Sequence, residues 1–536
     1  MRAHSPGRAP SAVRIIVSFV IVSVWSPVSL STLSLPVARP VRSGRARRFG
    51  ALAVLMLPVL LISTDNTILS FALPAISKAL RPDARTLLWM VDAYPLVLAG
   101  LLVIMGSLGD RIGRRRILLI GASGFAAFSA VAAFSVAASM LVLARVGMGV
   151  FGAMLMPATL SIIRNVFTDR AERRTALAVW STMFAAGNAL GPLIGGVLLA
   201  HFAWGSVFLV AVPLLVVLLI AAPIFIPESR DPNPGPVDLV SMALSLGALT
   251  PTAWAIKTVT DPTMRGAAFA ALVVGVVCGT LFVRRQLRAR TPMLDLRLLR
   301  SVPFTGSIIV NMAGMFSLTG FLFFTAQHLQ LVAGLGPFDA GLVLIPGSVL
   351  CIVAGLGVVP VVARVAPRWV VSVSLLFSAA ANMLVALLGH EITVAGIAIA
   401  FVLLGIGIGA SETVTNDLVV ATAPPEKSGA ASAMSETAYE IGAVLGTAVL
   451  GTILTTMYRM GVAVPSGLTG AQRAAAAQTL GGAIDAAHAL GGSLGQALAA
   501  SARAAFDSGV TITAGVAAAL MLACSVWSWF TLRHAR

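Results

Sequence analysis

Asp65, Asp92, Arg145, His328, Glu412, Asp417, Glu436 and Glu440 all stand inside long apolar runs of the chain. A charge at that depth in a membrane costs at least about 2.5 kcal/mol unless it is paired or hydrated. Such residues therefore point to chemistry: moving protons, or holding a charged solute. Glu436 and Glu440 are four apart and share one helix face. Two like charges there repel, so at least one is expected to carry a proton. Asp65 lies mid-run and leads as a proton carrier or as the partner of Arg145. A packing role, bonded to Asn66 or Thr67, is the plainer alternative. Asp92 lies nearer the end of its run, where a hydrated vestibule fits as well. Glu412 and Asp417 share another run, close enough to its end to reach water, and His328 fits packing better than proton transfer.

The elements that must position these residues follow from composition. Of 536 residues 58% are apolar and only 11% are Asp, Glu, Lys or Arg, and mean hydropathy is +0.95. A soluble domain carries about a quarter charged residues, so a soluble multidomain enzyme is excluded. A membrane span needs about 20 mostly apolar residues. Fourteen such segments follow residue 50, from 51–77 to 510–532. An all-α polytopic membrane protein is expected.

The net charge of +17 would suit nucleic acid, but the basic residues, nearly all Arg, sit in short loops between apolar runs. That distribution orients helices, so no nucleic-acid partner is expected. Alternate loops from the second segment onward, with the C-terminal tail, hold twenty Lys and Arg, among them Arg111, Arg164, Arg173, Arg284 and Arg300. The opposite loops, with Arg81, Arg85, Lys257, Arg265, Arg459, Arg473 and Arg503, hold fewer than half as many. Both termini are therefore expected in the cytoplasm of a cell-membrane protein. Cys278, Cys351 and Cys524 lie in apolar segments and suggest neither a disulfide nor a metal site. No phosphate-binding loop or catalytic triad spacing occurs, so ATP is not the direct energy source, no cofactor is expected, and an enzyme is not indicated.

Residues 1–50 stand apart as an N-terminal extension. Ile15–Trp25 is apolar and a basic cluster follows. A signal peptide would leave the new N-terminus outside, against the charge count, so a non-native extension from an upstream start codon is preferred, with true initiation expected near Val37 or Val41. Residues 459–509 form one long Ala- and Gly-rich outer loop, with Leu480, Ile484, Leu490, Leu494 and Leu498 at helical spacing. Prolines at 227–236 and arginines at 284–300 mark two breaks. They divide the chain into a six-helix bundle at 51–227, a two-helix insertion at 238–284 and a second six-helix bundle at 303–533. Gly357–Arg368 repeats the pattern of Gly106–Arg116 in degraded form, as paired transporter halves do.

The strongest motif is Gly106-Ser-Leu-Gly-Asp110-Arg111-Ile-Gly113-Arg114-Arg115-Arg116. Glycines there permit close approach and a sharp turn, and Asp110 with the arginines can form a latch at the helix ends. Gly187, Gly191 and Gly195 fall on one helix face, with Gly196 beside them, and Pro192 can bend that helix. The first of these motifs resembles the opening loop motif of the major facilitator superfamily. Asp65–Pro74, Trp89–Tyr94, Gly187–Gly196, Pro227–Arg230 and Gln327–Gln330 resemble its fourteen-span drug:proton antiporters over about residues 50–458, with Asp92 similar to the cation-exporting branch. Leu141–Gly149 resembles the fourth-span motif, whose arginine, here Arg145, is linked to proton transfer. Met148 stands where the family often has Gln.

The resemblance implies the major facilitator fold, two six-helix bundles plus a two-helix insertion with 14 transmembrane helices. It implies a monomeric, proton-coupled exporter in the lipid bilayer, carrying amphipathic, cationic small-molecule drugs, dyes or biocides. Asp65, Arg145, Glu436 and Glu440 are expected to couple protons. Asp92, Glu412, Tyr94, Trp180, Phe184 and Tyr439 are expected to meet the substrate. A narrower exporter of a self-made antibiotic or metabolite is one alternative, and a non-transporting sensor or scaffold is a remote one.

Overall fold

The apolar runs become helices because a chain crossing hydrocarbon must satisfy its backbone internally. The computed structural model describes residues 45–230, 238–289, 292, 294–423, 428–466 and 468–533, and every regular element among them is helical. The helices long and apolar enough to span are α1 Arg45–Leu80, α2 Ala84–Ile112, α3 Arg114–Ala133, α4 Ala138–Val166 and α6 Ser206–Phe225. They continue with α7 Leu239–Thr258, α8 Arg265–Arg288, α9 Val302–Val332, α10 Pro337–Val362, α11 Pro367–Glu391, α12 Val394–Thr422 and α13 Ala431–Gly461. Two short helices, α14 Gly470–Gln478 and α15 Leu480–Leu490, precede the last span, α16 Gly492–Thr531. The fourteenth crossing is α5 Arg170–His201, bent by 43° between Thr175–Asn188 and Leu190–His201. The chain is a multi-pass membrane protein with thirteen unbroken spans among the described residues, and fourteen when the bent α5 is counted.

Packing sorts the spans. On one side α1 lies against α5 and α6, α2 against α4, and α3 against α4 and α6. On the other, α10 and α11 pack on α12, α9 on α12 and α13, and α16 on α11 and α13. The two groups meet where α5 touches α10 and where α2 touches α13. Helices α7 and α8 pair with each other, and α7 also lies along α2. Only 17% of the apolar window of α7 and 11% of that of α8 are buried, against 83% for α2. The pair faces lipid, while α2 runs through the centre.

Three sequence expectations need correction. Helix α1 begins at Arg45, before residue 51, and Arg48 in its first turn reaches Glu172 at 3.1 Å; residues 1–44 of the N-terminal extension lie outside the described residues. The loop expected at 459–509 ends at Gly491, because α16 runs without a break from Gly492. Its Leu480 and Leu498 are buried, whereas Leu494 is exposed. Lys257, expected in a loop, lies inside α7 and is fully buried.

Candidate functional site

Arg145 is the largest side chain with essentially no exposure, projecting from α4 between α1 and α2. Its Nη1 lies 2.5 Å from Asp65 Oδ2. Its Nε donates to the Met90 carbonyl at 3.2 Å, and Nη2 reaches toward the Val91 carbonyl at 3.5 Å. The guanidinium also sits 4.6 Å from the centre of the Tyr94 ring. A fork with its charge paired and its remaining donors aimed at carbonyls meets the demands of a buried arginine. Met148, where the family often has a polar residue, is fully buried, and the α2 carbonyls supply the polar contacts in its stead.

The helix bearing Asp65 is held by α5. A Cβ on Gly187 would collide with Ser63, and one on Gly191 with Thr67, so glycine is what permits the approach. Pro192 cannot donate to the carbonyl of Asn188, and the Thr67 hydroxyl donates to that carbonyl at 3.1 Å instead. One turn earlier Thr64 donates to the Gly187 carbonyl at 3.2 Å. Bend and close packing thus arise from one motif and bracket Asp65. On its far face α5 meets the other group of helices: Gly196 packs on Pro337 and Phe338, and Gly341 on the Pro192 carbonyl. Gly195 packs against Ile68.

Glu440, on α13, faces this pair from the opposite group of helices. It is 5% exposed and has Glu436, Asn66, Asp65 and Arg145 as its electrostatic neighbours. Glu436 faces Arg164 of α4. One carboxylate oxygen of each glutamate is buried without a hydrogen-bond partner among the described residues. The two share a helix face, as their spacing requires.

An aromatic ladder crosses between the groups. Trp180 and Phe184 on α5 stack with centroids 5.9 Å apart and planes 6° from parallel, and Tyr439 meets Phe184 edge-on at 6.1 Å. Trp180 Nε1 donates to Thr159 Oγ1 at 3.1 Å. Glu412 interacts with the Tyr439 hydroxyl, and Asn416 Nδ2 donates to that hydroxyl at 3.2 Å. Behind it Asn311 Nδ2 donates to Asn416 Oδ1 at 3.0 Å and to Ser435 Oγ at 2.9 Å, while Thr415 donates to Asn311 Oδ1. The sequence offers no sign of this uncharged network, because neutral polar side chains in three separated segments leave no signal in hydropathy.

Two expected substrate residues lie elsewhere. Asp92 faces no vestibule: it is completely buried, with Lys257 Nζ 2.7 Å from its Oδ2. Tyr94 is also fully buried, packed between Arg145 and Phe125. Asp417 is exposed, and His328 Nδ1 pairs with Asp507 at 2.9 Å.

The loop motif is built from both its own charges and a distant glutamate. Asp110 takes Arg114 at 2.7 Å, one turn on. Glu228 Oε1 accepts from the Arg115 backbone at 3.1 Å, its Oε2 lies 3.9 Å from both the Arg115 and Arg116 guanidinium nitrogens, and the Arg114 amide donates to the Ser229 carbonyl at 2.9 Å. Gly113 turns the chain at φ +119°, a left-handed value open to glycine, directly against Glu228. Gly106 packs on Pro157 of α4, and Arg111 is exposed.

Residues 55–447 match the family model described as Major Facilitator Superfamily. The chain is 56% identical over 479 residues to the multidrug efflux pump LfrA of Mycolicibacterium smegmatis, covering 89% of this chain and 95% of that protein. It is 33% identical over 491 residues to the methyl viologen resistance protein SmvA of Salmonella typhimurium, covering 91% and 99%. Identity to the tetracenomycin C resistance and export protein of Streptomyces glaucescens is 31% over 507 residues, covering 92% and 93%. Among solved structures, a bacterial homolog of the human lysosomal transporter Spinster, inward-facing and occupied, superposes with a TM-score of 0.63 at 16% identity over 92% of this chain and 98% of that one. That last likeness bears on the fold alone.

Proposed function

The chain belongs to the major facilitator superfamily, and on that premise we propose that it is a proton-coupled exporter of amphipathic, cationic drugs, dyes or biocides. The observation that carries this reading is the buried Asp65–Arg145 pair faced by Glu440 across the junction of the two helix groups. A proton reaching Asp65 removes the charge that Arg145 pairs with. Arg145 keeps its bonds to the α2 carbonyls and its stack on Tyr94. The charge balance at Glu440 then changes, and with it the preference between the two open states.

The substrate site is the ladder Trp180–Phe184–Tyr439 with Glu412 beside Tyr439. A flat cation stacks on such rings and balances its charge against a carboxylate. Exchange of a cation for a proton leaves the carboxylates neutralised in either state. Both termini lie in the cytoplasm, the protein works as a monomer, and substrate enters from that side. Greater identity to a multidrug pump than to a single-antibiotic exporter supports broad over narrow specificity.

The test is ethidium efflux from a host lacking its own pumps, with and without a proton uncoupler. Efflux that stops with the uncoupler is expected. Efflux that continues would remove proton coupling, and no efflux of any cationic dye would leave the narrow exporter.

A further inference from the structure

Helix α7, the first of the lipid-facing pair, is fastened to α2 along its length. Lys257 Nζ spends its contacts on one turn of α2: Asp92 Oδ2 at 2.7 Å, the Leu88 carbonyl at 3.2 Å, and the face of the Trp89 ring at 4.2 Å. One turn outward, Arg85 reaches Asp261 at 3.2 Å. Toward the other end, Gly100 admits the Leu246 side chain, against which a Cβ would clash. A lysine and an aspartate with no exposure keep their charges only while they stay together, so the join resists parting.

The same stretch of α2 also borders α13, and that seam is built differently. Leu88 packs on Gly451, the Thr447 hydroxyl interacts with the Asp92 carboxylate, and Leu96 meets Val444. Thr447 lies in a π turn, Gly446–Leu450, that interrupts α13 at this level. Ala253 of α7 joins Leu96 and Val444 in one small apolar cluster. Beneath it α2, α7, α8 and α13 leave an apolar space of about 250 Å³. An apolar contact beside an open space slides at little cost, whereas a desolvated ion pair does not.

We propose that Lys257 is a positioning residue that makes the two-helix insertion travel with α2 as one body, so that the seam opening during transport lies between α7 and α13. This rests on the transport reading for the existence of a rocking motion. Lys257 keeps the Asp92 carboxylate engaged from α7, and the Thr447 hydroxyl lets go of it, with the apolar contacts beside it, when the halves separate. The insertion then acts as a strap over the lateral seam, carried by one half and sliding on the other.

Two cysteine pairs within the same apolar cluster test this, made after Cys278, Cys351 and Cys524 are replaced by Ala. One joins α7 to α2 (Leu96→Cys with Ala253→Cys), the other α7 to α13 (Ala253→Cys with Val444→Cys). With a short membrane-permeant bifunctional thiol reagent, the first crosslink is expected to leave dye transport within about twofold of the untreated protein. The second is expected to lower it at least about tenfold. A first crosslink that stops transport, or a second that does not, overturns the proposal. If the untreated proteins move no dye, the exporter reading falls, and spin labels at the same sites in lipid nanodiscs decide the present question. On acidification or addition of tetraphenylphosphonium, the 96–253 distance should stay fixed and the 253–444 distance should change. The reverse, or a fixed 253–444 distance, overturns it. Lys257→Met should broaden the 96–253 distribution, and the exchanged pair Asp92→Lys with Lys257→Asp should narrow it again. A narrow distribution in the first, or a broad one in the second, removes Lys257 from the role.

Discussion

Arg145 and Asp65 meet at 2.5 Å in the interior of the helix bundle, one charge from α4 and one from α1, with less than a tenth of either side chain exposed. Removing one partner of such a pair leaves the other buried and unbalanced, at a cost of about 3–5 kcal/mol. Arg145→Ala is therefore expected to lower thermal stability in detergent sharply. Asp65→Asn is expected to destabilise less, because the amide oxygen still accepts from the guanidinium. Fluorescence-detected thermal unfolding gives the order, and equal losses would contradict it.

Helix α5 depends on glycine where it crosses α1. Gly191→Ala puts a methyl group onto the Thr67 hydroxyl, which is already engaged with the Asn188 carbonyl. Overpacking of this kind costs about 1–3 kcal/mol. Adding Thr67→Ala should return only part of that loss, since it frees space but leaves the Asn188 carbonyl without its donor. Dye efflux and thermal stability of the single and double variants check this; full recovery in the double would assign the whole effect to space.

On the proposed reading, the aromatic ladder carries the affinity for flat cations. Phe184→Ala removes the ring that joins Trp180 to Tyr439. A desolvated cation–ring contact contributes about 2 kcal/mol, so KM for ethidium should rise on the order of tenfold with little change in maximal rate. Tetramethylammonium, which has no flat face to stack, should be affected less. An equal rise for both would place the ladder in packing.

Glu228 draws the chain after α6 onto the start of α3. Glu228→Gln keeps the hydrogen bond from the Arg115 amide but gives up the charge facing Arg115 and Arg116. Gly113→Ala adds left-handed strain and a clash with Glu228. The glycine variant is expected to be the more damaging, by about 1 kcal/mol or more, and proteolysis at the α2–α3 junction should be faster in it than in Glu228→Gln.

Asp238 offers a pH control. The Arg285 guanidinium beside it, bonded at 2.9 and 3.0 Å, holds its carboxyl well below the usual carboxylate range. With the folded value depressed, this stabilisation is complete above the ordinary carboxyl value of about 4 and is lost as pH falls through the lower, folded one. Between about pH 6 and 8 the clasp does not titrate. Asp238→Asn should leave the pH profile of transport unchanged and cost under about 1 kcal/mol of stability, as exposed pairs do. A shifted profile would implicate the insertion in proton movement.

Much of this site is legible in the sequence because lipid makes charge conspicuous. Asp65 and Arg145 stand out from apolar runs, and the Gly187–Gly195 spacing marks a face for close packing with a bend at Pro192. The pairing of Glu436 and Glu440 follows from a separation of four. What stays hidden depends on partners far apart in the chain. Lys257 reads as a loop residue because it lies near the end of its run, and only the fold brings Asp92 to it. Glu228 lies more than a hundred residues from the arginines it faces. Asn311, Asn416 and Ser435 are neutral and leave mean hydropathy nearly unchanged. The first third of α16 is rich in Ala and Gly, too weakly apolar to distinguish from a loop until its packing is known.

Purified protein in sealed vesicles, with ethidium on one side and an imposed pH gradient as the sole energy source, tests proton coupling through Asp65 most directly. Wild type should drive uphill dye movement that collapses when the gradient is dissipated, and Asp65→Asn should abolish uphill movement while retaining dye binding. Uphill movement by Asp65→Asn at the wild-type rate, or by wild type with no gradient, would contradict it.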